Sequence, residues 1–599
     1  MSARPFLARL AADAGRPEGA ERLRRALEGD AIAAAAIATP GLELAWHAAA
    51  GAEAPGSARV ICVIDGSIFG LEDLAAELDV DGDEATVLAR AYERLGEAVL
   101  DRVHGAFAVF LWDREARTGL VARDQLGGRP VHHRPNGSGH IVGSEVRDLL
   151  ALSTNPPEPD RVAIAHWLAR RPAPDERTLF TGVSRLRAGH LIRLGNGRAD
   201  TWRWWEPRYS DPQAIGREDA AGMLRDAMAG AVARALRGAA APGIMLSGGL
   251  DSACVAGFAD SLRAPARAYS QVFPAHPRID ESQSIEVLTR RYGLAGHTLS
   301  YAGGSALAAA DEYARAWALP PSSPNWFVWE PLYDLAREDG VDVMLDGEGG
   351  DELFGCSPRL LADLLKSARV RELVSQARRI PGMGPDPRPR RIMRAISLYG
   401  VRAVLPRALH ARLRQLRRTG GAMTPWLSPD ARALLGSDAE QDAWKALAGP
   451  RWWAALTFSL VEAPDRMGAQ DEAGRSGGRN GFDVAHPWRD LKLVELMLSL
   501  PPQLSFDPDL DRPLARAAVR GMLPESVRLS GHKPFFNELL DQALAGADAD
   551  ELSEVLGDPG GAVAWALRPG GLAAITSPSR SLVIWRIASA SLWARRVFG

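Results

Sequence analysis

The segment at residues 243–253, GIMLSGGLDSA, constrains the fold of this chain more than any other. A short apolar run leads into a turn of small residues, and the Ala-rich stretch after it is typical of a helix. Gly248 and Gly249 permit a tight turn with inward-pointing N–H groups, and the helix directs its positive end to the same place. The pattern predicts an anion-binding loop, with an ordinary strand–turn–helix as the alternative. Its expected binding residues are Leu246, Ser247, Gly248, Gly249, Leu250, Asp251 and Ser252.

This loop lacks the lysine of a Walker loop, so we do not expect it simply to hold a triphosphate for transfer of the terminal phosphate. The hydroxyls of Ser247 and Ser252, together with the loop N–H groups, suit the pyrophosphate that leaves ATP when an acyl-adenylate forms. The sequence therefore favours AMP-forming chemistry.

A second apolar run, residues 343–345, leads into an acidic, glycine-rich loop at residues 346–355. In a parallel sheet, ligands bind beyond the carboxyl ends of the strands, so Asp251 and Asp351 are expected to reach one site. Mg²⁺ takes one or two carboxylates together with phosphate oxygens, which makes this pair the predicted metal ligands. Glu348 is the predicted base or orienting group, and Asp346 and Gly347 are predicted to contact the nucleotide. The alternative is an acidic turn that caps a helix.

The two loops resemble those of the asparagine-synthetase family, whose PP-loop domain carries SGGLDS and a later GEGSDE or GEGGDE. Residues 183–190, 203–205, 486–502 and 523–535 also resemble segments of that family. The resemblance implies ATP and Mg²⁺ as cofactors and an α/β fold. It implies a degenerate, glutaminase-like αββα domain of the Ntn type at residues 1–208. A PP-loop domain with a largely helical C-terminal part then occupies residues 209–599. A strand is predicted at Ala266 to Phe273, where Ser270 and Gln271 would border the adenine.

Lys533 is one of only four lysines, in a chain that otherwise uses arginine as its cation. A compact, mobile ammonium suits contact with phosphate or adenylate oxygens in the transition state, so Lys533 is predicted to be catalytic. The alternative is an ordinary surface lysine.

Residues 105–113 and 122–130 resemble the glutamine-hydrolysing domain of the family. Active members carry a cysteine after the initiator methionine, whereas this chain begins Met1-Ser2. The family element NGEIYN stands here as residues 65–70, DGSIFG. We therefore expect no working glutaminase, and ammonia is not the expected nucleophile.

An amine supplied by the substrate itself is then the expected nucleophile, and holding both groups on one molecule accelerates the reaction by proximity. Two branches of the family close rings in this way, the β-lactam synthetases and the lasso-peptide cyclases. β-Lactam synthetases typically carry tyrosine in place of the loop glutamate, whereas Glu348 is retained here. The resemblance favours a lasso-peptide cyclase, which joins an Asp or Glu side chain of a ribosomal core peptide to its N-terminal amine.

The implied partners are the precursor peptide, a leader peptidase and a leader-recognition protein. Three alternatives stay open: a β-lactam-synthetase-like enzyme acting on a small substrate, an ammonia-dependent asparagine synthetase, and a non-catalytic peptide-binding scaffold. Trp326, Phe327 and Trp329 are predicted either to shape a peptide cavity or to form a buried cluster. Trp452 and Trp453 are predicted to pack in the core.

The composition of the chain argues against several classes of protein. A net charge of -3 gives no general attraction to nucleic acid or anionic membrane. Three scattered cysteines favour a reducing cytoplasm, and no apolar stretch reaches the roughly 18 residues of a spanning helix. The Arg-rich run 388–418 is either a solvated face or a docking site for an acidic leader peptide or a partner protein. The C-terminal residues 582–598 are predicted to form an amphipathic basic helix that packs on the protein rather than on a membrane.

Overall fold

The structure is a computed structural model. It describes residues 5–11, 13–28, 33–48, 52–153, 155–174, 176–195, 198–384, 387–406, 409, 424–436, 443–463, 471–472, 474–475, 480–531, 535–574 and 580–599. The predictions for Ser2 and Lys533 fall outside these residues.

The N-terminal part contains two antiparallel sheets. The six-stranded sheet has the order β2-β3-β1-β8-β7-β9, and the five-stranded sheet has the order β11-β10-β6-β5-β4. The strands are β1 Phe6–Leu10, β2 Ala34–Thr39, β3 Leu42–His47, β4 Val60–Phe69, β5 His104–Asp113, β6 Thr118–Arg123, β7 His132–Asn136, β8 Gly139–Gly143, β9 Ser184–Arg185, β10 His190–Gly195 and β11 Arg198–Arg203.

The two sheets pack face to face through alternating apolar side chains, as Phe6 and Phe110 show with ring centroids 5.7 Å apart. Helices cover the outer faces, which gives the predicted αββα layering. One of these helices spans Glu84–Leu95, and Asp83 caps it by accepting from Thr86 N. The helices here are α1 Pro17–Leu27, α2 Leu71–Leu78, α3 Glu84–Leu95, α4 Val146–Ala151 and α5 Arg161–Leu168.

The second part is built on a five-stranded parallel sheet with the order β14-β13-β12-β15-β16. The chain moves from β12 to one side of the sheet and later returns to the other side with β15. The carboxyl ends of β12 and β15 are therefore neighbours, at the position where α/β proteins bind ligands. The strands are β12 Pro242–Met245, β13 Arg267–Val272, β14 Gly296–Ser300, β15 Val343–Leu345 and β16 Asp483–Ala485.

Helices surround this sheet and make up most of the C-terminal part. The first, Arg217–Ala235, precedes the strand that leads into the first loop. The helices are α6 Arg217–Ala235, α7 Leu250–Ser261, α8 Ser282–Tyr292, α9 Ala306–Trp317, α10 Trp326–Glu338, α11 Gly350–Phe354, α12 Leu360–Lys366, α13 Val370–Arg378, α14 Pro389–Ala395, α15 Arg402–Val404, α16 Pro429–Leu434, α17 Arg451–Thr457, α18 Leu491–Ser499, α19 Pro513–Ala518, α20 Glu525–Arg528, α21 Asn537–Ala545, α22 Ala549–Gly557, α23 Gly561–Ala564 and α24 Arg580–Phe598.

Two predictions about packing are confirmed. Trp452 and Trp453 are buried and meet Tyr209 edge-on. The C-terminal helix α24 is also part of the core, since Trp585 and Trp593 are 0% and 1% exposed. None of the helices in the described ranges has the length and apolar character needed to cross a bilayer.

Buried ion pairs join the N-terminal sheets to the helical part. Asp471 accepts from Arg185 at 2.9 Å and from Arg123 at 3.2 Å, and Arg475 donates to Glu145 at 2.7 Å. Asp471 is 3% exposed and Arg123 is fully buried, so these charges have left water. Burial opposes ionisation of Asp471, but the surrounding arginines prevail and lower its pKa.

Replacing Asp471 with alanine is expected to destabilise the protein by about 3–5 kcal/mol, because it leaves two arginines without their shared carboxylate. Urea unfolding followed by tryptophan fluorescence measures this loss. The matched control is Glu286→Ala, which breaks the exposed pair with Arg290 and should change stability by less than about 1 kcal/mol. Equal effects of the two substitutions would contradict the expectation.

Candidate active site

Two glycine-rich loops meet at the carboxyl ends of β12 and β15. A Cβ on Gly350 would lie 2.6 Å from Asp251 Oδ1, and a Cβ on Gly347 would lie 2.8 Å from Ser252 N. Gly349 has a φ of +88°, a conformation that glycine adopts without strain. Gly347 and Gly350 are thus required because the two loops touch, whereas Gly349 is required by its backbone conformation.

The first loop is ordered by its own hydroxyls. Ser247 N donates to Ser252 Oγ at 3.1 Å, and the two hydroxyl oxygens are 2.9 Å apart. Gly248 N donates to a carboxylate oxygen of Glu281 at 3.3 Å. Burial raises the pKa of Glu281 to about 7. The loop therefore presents a backbone donor that already binds an acidic oxygen, which fits the predicted role in holding pyrophosphate.

The two predicted metal ligands share a single cation. Arg512 Nη1 lies 2.6 Å from Asp251 Oδ2 and 3.2 Å from Asp351 Oδ1. Burial disfavours the charged guanidinium, but Asp251, Asp511 and Asp351 outweigh burial and raise the pKa of Arg512. Sequence reasoning missed Arg512, because no motif or periodicity singles it out.

Two carboxylates that share one cation also fit Mg²⁺ chemically. In the described part of the chain, no group of three or more Asp, Glu, His or Cys residues is placed to hold a metal. Asp251 and Asp351 would hold Mg²⁺ only with phosphate oxygens to complete its coordination, which is the usual arrangement for this ion.

Glu348 lies beside a pair formed by Asp346 and His486. Asp346 Oδ1 accepts from Glu348 N at 3.0 Å and lies 2.7 Å from His486 Nδ1. Burial, and then the negative charge of Asp346, raise the pKa of Glu348. Burial lowers the pKa of His486, but Asp346 and Glu348 prevail and raise it.

Sequence reasoning placed His486 in a family-like segment but gave it no role in the site. It reaches the site because β16 pairs in parallel with β15, with Leu345 opposite Ala485. Asp346 and His486 each follow those residues, so both side chains stand one position beyond the strand ends. The pairing joins residues about 140 positions apart, which no local pattern reveals.

A cavity of about 580 Å³ opens above the two loops. It is lined by ten predicted site residues: Leu246, Ser247, Gly249, Asp251, Ser252, Gln271, Asp346, Gly347, Glu348 and Asp351. Gly248, Leu250 and Ser270 lie just behind the lining. Ser270 is 1% exposed and donates to Leu246 O at 2.8 Å, so it supports the first loop from below.

Each of the two alternatives for the aromatic segment, a cavity wall or a buried cluster, applies to part of it. Trp326 and Trp329 line the cavity, whereas Phe327 is buried in a core cluster against Tyr301. Trp326 Nε1 donates to Glu472, which is 4% exposed and also accepts from Ser322 N at 2.9 Å.

The element that replaces the family's NGEIYN lies inside the N-terminal part. Asp65 is 3% exposed and accepts from Ser144 Oγ at 2.6 Å. A Cβ on Gly66 would lie 2.8 Å from Arg129 Nε, and Arg129 donates to Asp483 of β16 at 2.8 Å. Gly66 itself therefore has no room for a side chain, whereas Ser67 and Phe69 line a cavity of about 100 Å³ together with Asp483 and Val484.

Two protein-family models match this chain. Residues 223–595 match the family model described as asparagine synthase, and residues 51–205 match the model described as glutamine amidotransferase domain. The chain belongs to the asparagine synthase family. The predicted fold class is thereby confirmed, with a glutamine-amidotransferase-like domain first and the asparagine-synthase domain after it. Family membership supports an ATP-dependent carbon–nitrogen ligase.

Individual relatives are distant. The chain is 24% identical over 501 residues to asparagine synthetase [glutamine-hydrolyzing] 3 of Bacillus subtilis, covering 79% of this chain and 75% of that protein. It is 30% identical over 334 residues to a putative asparagine synthetase of Mycobacterium bovis, covering 50% of this chain and 47% of that protein. A B. subtilis glutamine phosphoribosylpyrophosphate amidotransferase structure matches at 12% identity, 61% and 79% coverage and a TM-score of 0.24, too low to support any conclusion.

Gly350→Ala is expected to lower MgATP affinity about ten- to hundredfold, because overpacking the loop contact costs about 1–3 kcal/mol. Isothermal titration calorimetry measures this affinity. Gly222→Ala is the matched control, since a Cβ there meets nothing within 4 Å. Unchanged affinity in the Gly350 variant would show that close contact between the loops is not needed for nucleotide binding.

His486 is expected to titrate above its ordinary pKa of 6.5, and Asp346→Asn should lower that value. A raised native pKa stabilises the fold below pH 6.5, and this contribution is lost as the pH rises through the native pKa. Two-dimensional NMR of ¹³C-histidine-labelled protein measures the titration. His104 is an internal control, because burial lowers its pKa to about 4. A midpoint for His486 at or below 6.5 would contradict the assignment.

Proposed function

We propose that this protein is a lasso-peptide cyclase. ATP adenylates an Asp or Glu side chain of a ribosomal core peptide, and the N-terminal amine of that peptide then displaces AMP to form a macrolactam. The observation that carries this proposal is a single cavity that joins both glycine-rich loops to an aromatic lining. Its volume of about 580 Å³ lies in the range usual for sites that bind a nucleotide or another small ligand.

Each predicted residue has a role in this reaction. The first glycine-rich loop binds the leaving pyrophosphate through Ser247, Gly248, Gly249 and Ser252. Leu246 and Leu250 position this loop. Asp251 and Asp351 hold Mg²⁺, which neutralises phosphate charge when bound. Asp346 and Gly347 border the nucleotide.

Gln271 is proposed to face the adenine amine. Its Oε1 is buried, and no described residue bonds to it. Ser270, behind it, supports the loop through Leu246 O.

Glu348 is proposed to accept the proton of the attacking amine. Its raised pKa brings its basicity closer to neutral pH, where a general base works best. Lys533 is proposed to contact the adenylate oxygens, and Arg512 adds a second positive charge beside the two aspartates.

The substrate's own amine is favoured because the element at residues 65–70, DGSIFG, departs from the NGEIYN of the family's glutamine-hydrolysing domain. A precursor peptide, a leader peptidase and a leader-recognition protein are the proposed partners, and the cytoplasm is the proposed location.

An asparagine synthetase that uses free ammonia is the second candidate. The names of the curated relatives favour it, and the two loops serve adenylation of aspartate equally well. The aromatic lining, with Trp326 and Trp329, favours the peptide.

The deciding experiment incubates the protein with MgATP and a candidate precursor peptide, its leader peptidase and its recognition protein. We expect the core peptide to lose the mass of one water while AMP and pyrophosphate accumulate. Mass spectrometry and nucleotide chromatography measure both products. Release of asparagine from aspartate and ammonium, with an unchanged peptide, would replace the cyclase by the second candidate. ADP and phosphate as products would exclude both.

Glu348→Gln is expected to slow ring closure about 10²- to 10⁴-fold, because the amine loses its base. Glu338→Gln, at an exposed position at the end of α10, is the matched control and should keep the full rate. Comparable rates for the two variants would remove Glu348 from the chemistry.

A further inference from the structure

The helical run at residues 389–404, formed by α14, a π-helical segment Ile396–Val401 and α15, has two unlike sides. Its inner side is buried through Ile392, Ala395, Gly400 and Ala403. Its outer side is exposed at helical spacing through Arg390, Met393, Arg394, Ser397 and Val401. Met393 is 64% exposed and Val401 is 44% exposed.

The outer side belongs to the most basic stretch of the chain. Between Glu372 and Asp430 the sequence has twelve arginines and a single acidic residue, Asp386. Within the described ranges, none of the arginines in this stretch forms an ion pair: Arg378, Arg379, Arg388, Arg390, Arg391, Arg394 and Arg402. Arginines elsewhere commonly do, as Arg234 does with Asp490 at 2.6 Å. The chain as a whole has a net charge of -3, so this positive surface is local.

Exposed apolar side chains stand among these charges. Met393 and Val401 are about two helical turns apart on one side, and Arg390 and Arg394 flank Met393. A phosphate backbone would satisfy the arginines and leave the methionine and valine in water. A peptide with acidic and apolar residues at helical spacing would satisfy both.

The surface is connected to the candidate active site through a short path. Arg359, five residues beyond α11, donates to Leu398 O at 3.1 Å and lies over the ring of Tyr399 at 5.4 Å. The basic helix is thus fixed to the chain that leaves the second glycine-rich loop.

We propose that the outer side of residues 389–404 docks an acidic, amphipathic peptide segment of a partner polypeptide. This docking goes beyond the proposed reaction and holds whichever carboxylate the enzyme activates.

The test titrates the full-length protein into a fluorescein-labelled 15-residue peptide with glutamate and leucine at helical spacing. Fluorescence anisotropy should report binding that weakens as salt rises. The double variant Arg390→Glu and Arg394→Glu should lower the affinity by about tenfold or more, and Met393→Ser by about fivefold. The matched control is Arg22→Glu with Arg520→Glu, two exposed arginines elsewhere, which should leave the affinity unchanged.

A second test exchanges the charges of the peptide and of the protein surface. A peptide with lysine in place of glutamate should bind the Arg390→Glu and Arg394→Glu variant better than it binds the wild type. Circular dichroism and thermal unfolding verify that every variant is folded.

Three outcomes would overturn the proposal. The first is no binding of the acidic peptide, or an equal loss of affinity in the control variant. The second is tighter binding of a labelled 20-nucleotide single strand that displaces the peptide. The third is concentration-dependent dimerisation that the double variant abolishes, since a second copy would then be the occupant. None of these readouts requires turnover, so failure here is distinguishable from failure of the proposed cyclase activity.

Discussion

The contact between the two glycine-rich loops is the constraint on which the site depends. Asp251 and Asp351 share one guanidinium because β12 and β15 are neighbours and because Gly350 leaves room for Asp251. A different strand order would separate the two aspartates, and a side chain at residue 350 would push the loops apart. Sheet topology and the placement of glycine therefore together position the two aspartates around one guanidinium. Charge must be balanced at that place for phosphate chemistry.

The N-terminal domain has a physical connection to this site that does not involve glutamine. Asp471 binds Arg185 and Arg123 of the two antiparallel sheets, and Arg475 binds Glu145 just before α4. Glu472, between them, bonds Trp326 in the cavity lining. Buried charges hold this short segment in one place, because removing a partner leaves an uncompensated ion. The amidotransferase-like domain thus supports the cavity lining.

The elements that sequence reasoning located correctly depend on near neighbours in the chain. The turn at Gly248 and Gly249 identifies the first loop from eleven consecutive residues. Sequence reasoning gave His486 and Arg512 no role because they arrive from about 140 and 260 positions away, through parallel strand pairing and helix packing. Trp326 and Phe327 could not be separated either, because the phase of a helix relative to its neighbours decides which of two adjacent side chains faces a cavity.

Two charged side chains of the protein occupy positions that the charges of a magnesium–pyrophosphate complex would take. A carboxylate oxygen of Glu281 lies on Gly248 N, and the guanidinium of Arg512 lies between Asp251 and Asp351. The loop donors and the aspartates therefore face opposite charges within the fold itself, which avoids the cost of isolated buried ions. On ligand binding, pyrophosphate would replace the negative carboxylate of Glu281, and Mg²⁺ would replace the positive guanidinium of Arg512. The strength of nucleotide binding then depends on how readily Glu281 and Arg512 give up their contacts, as much as on the contacts that replace them.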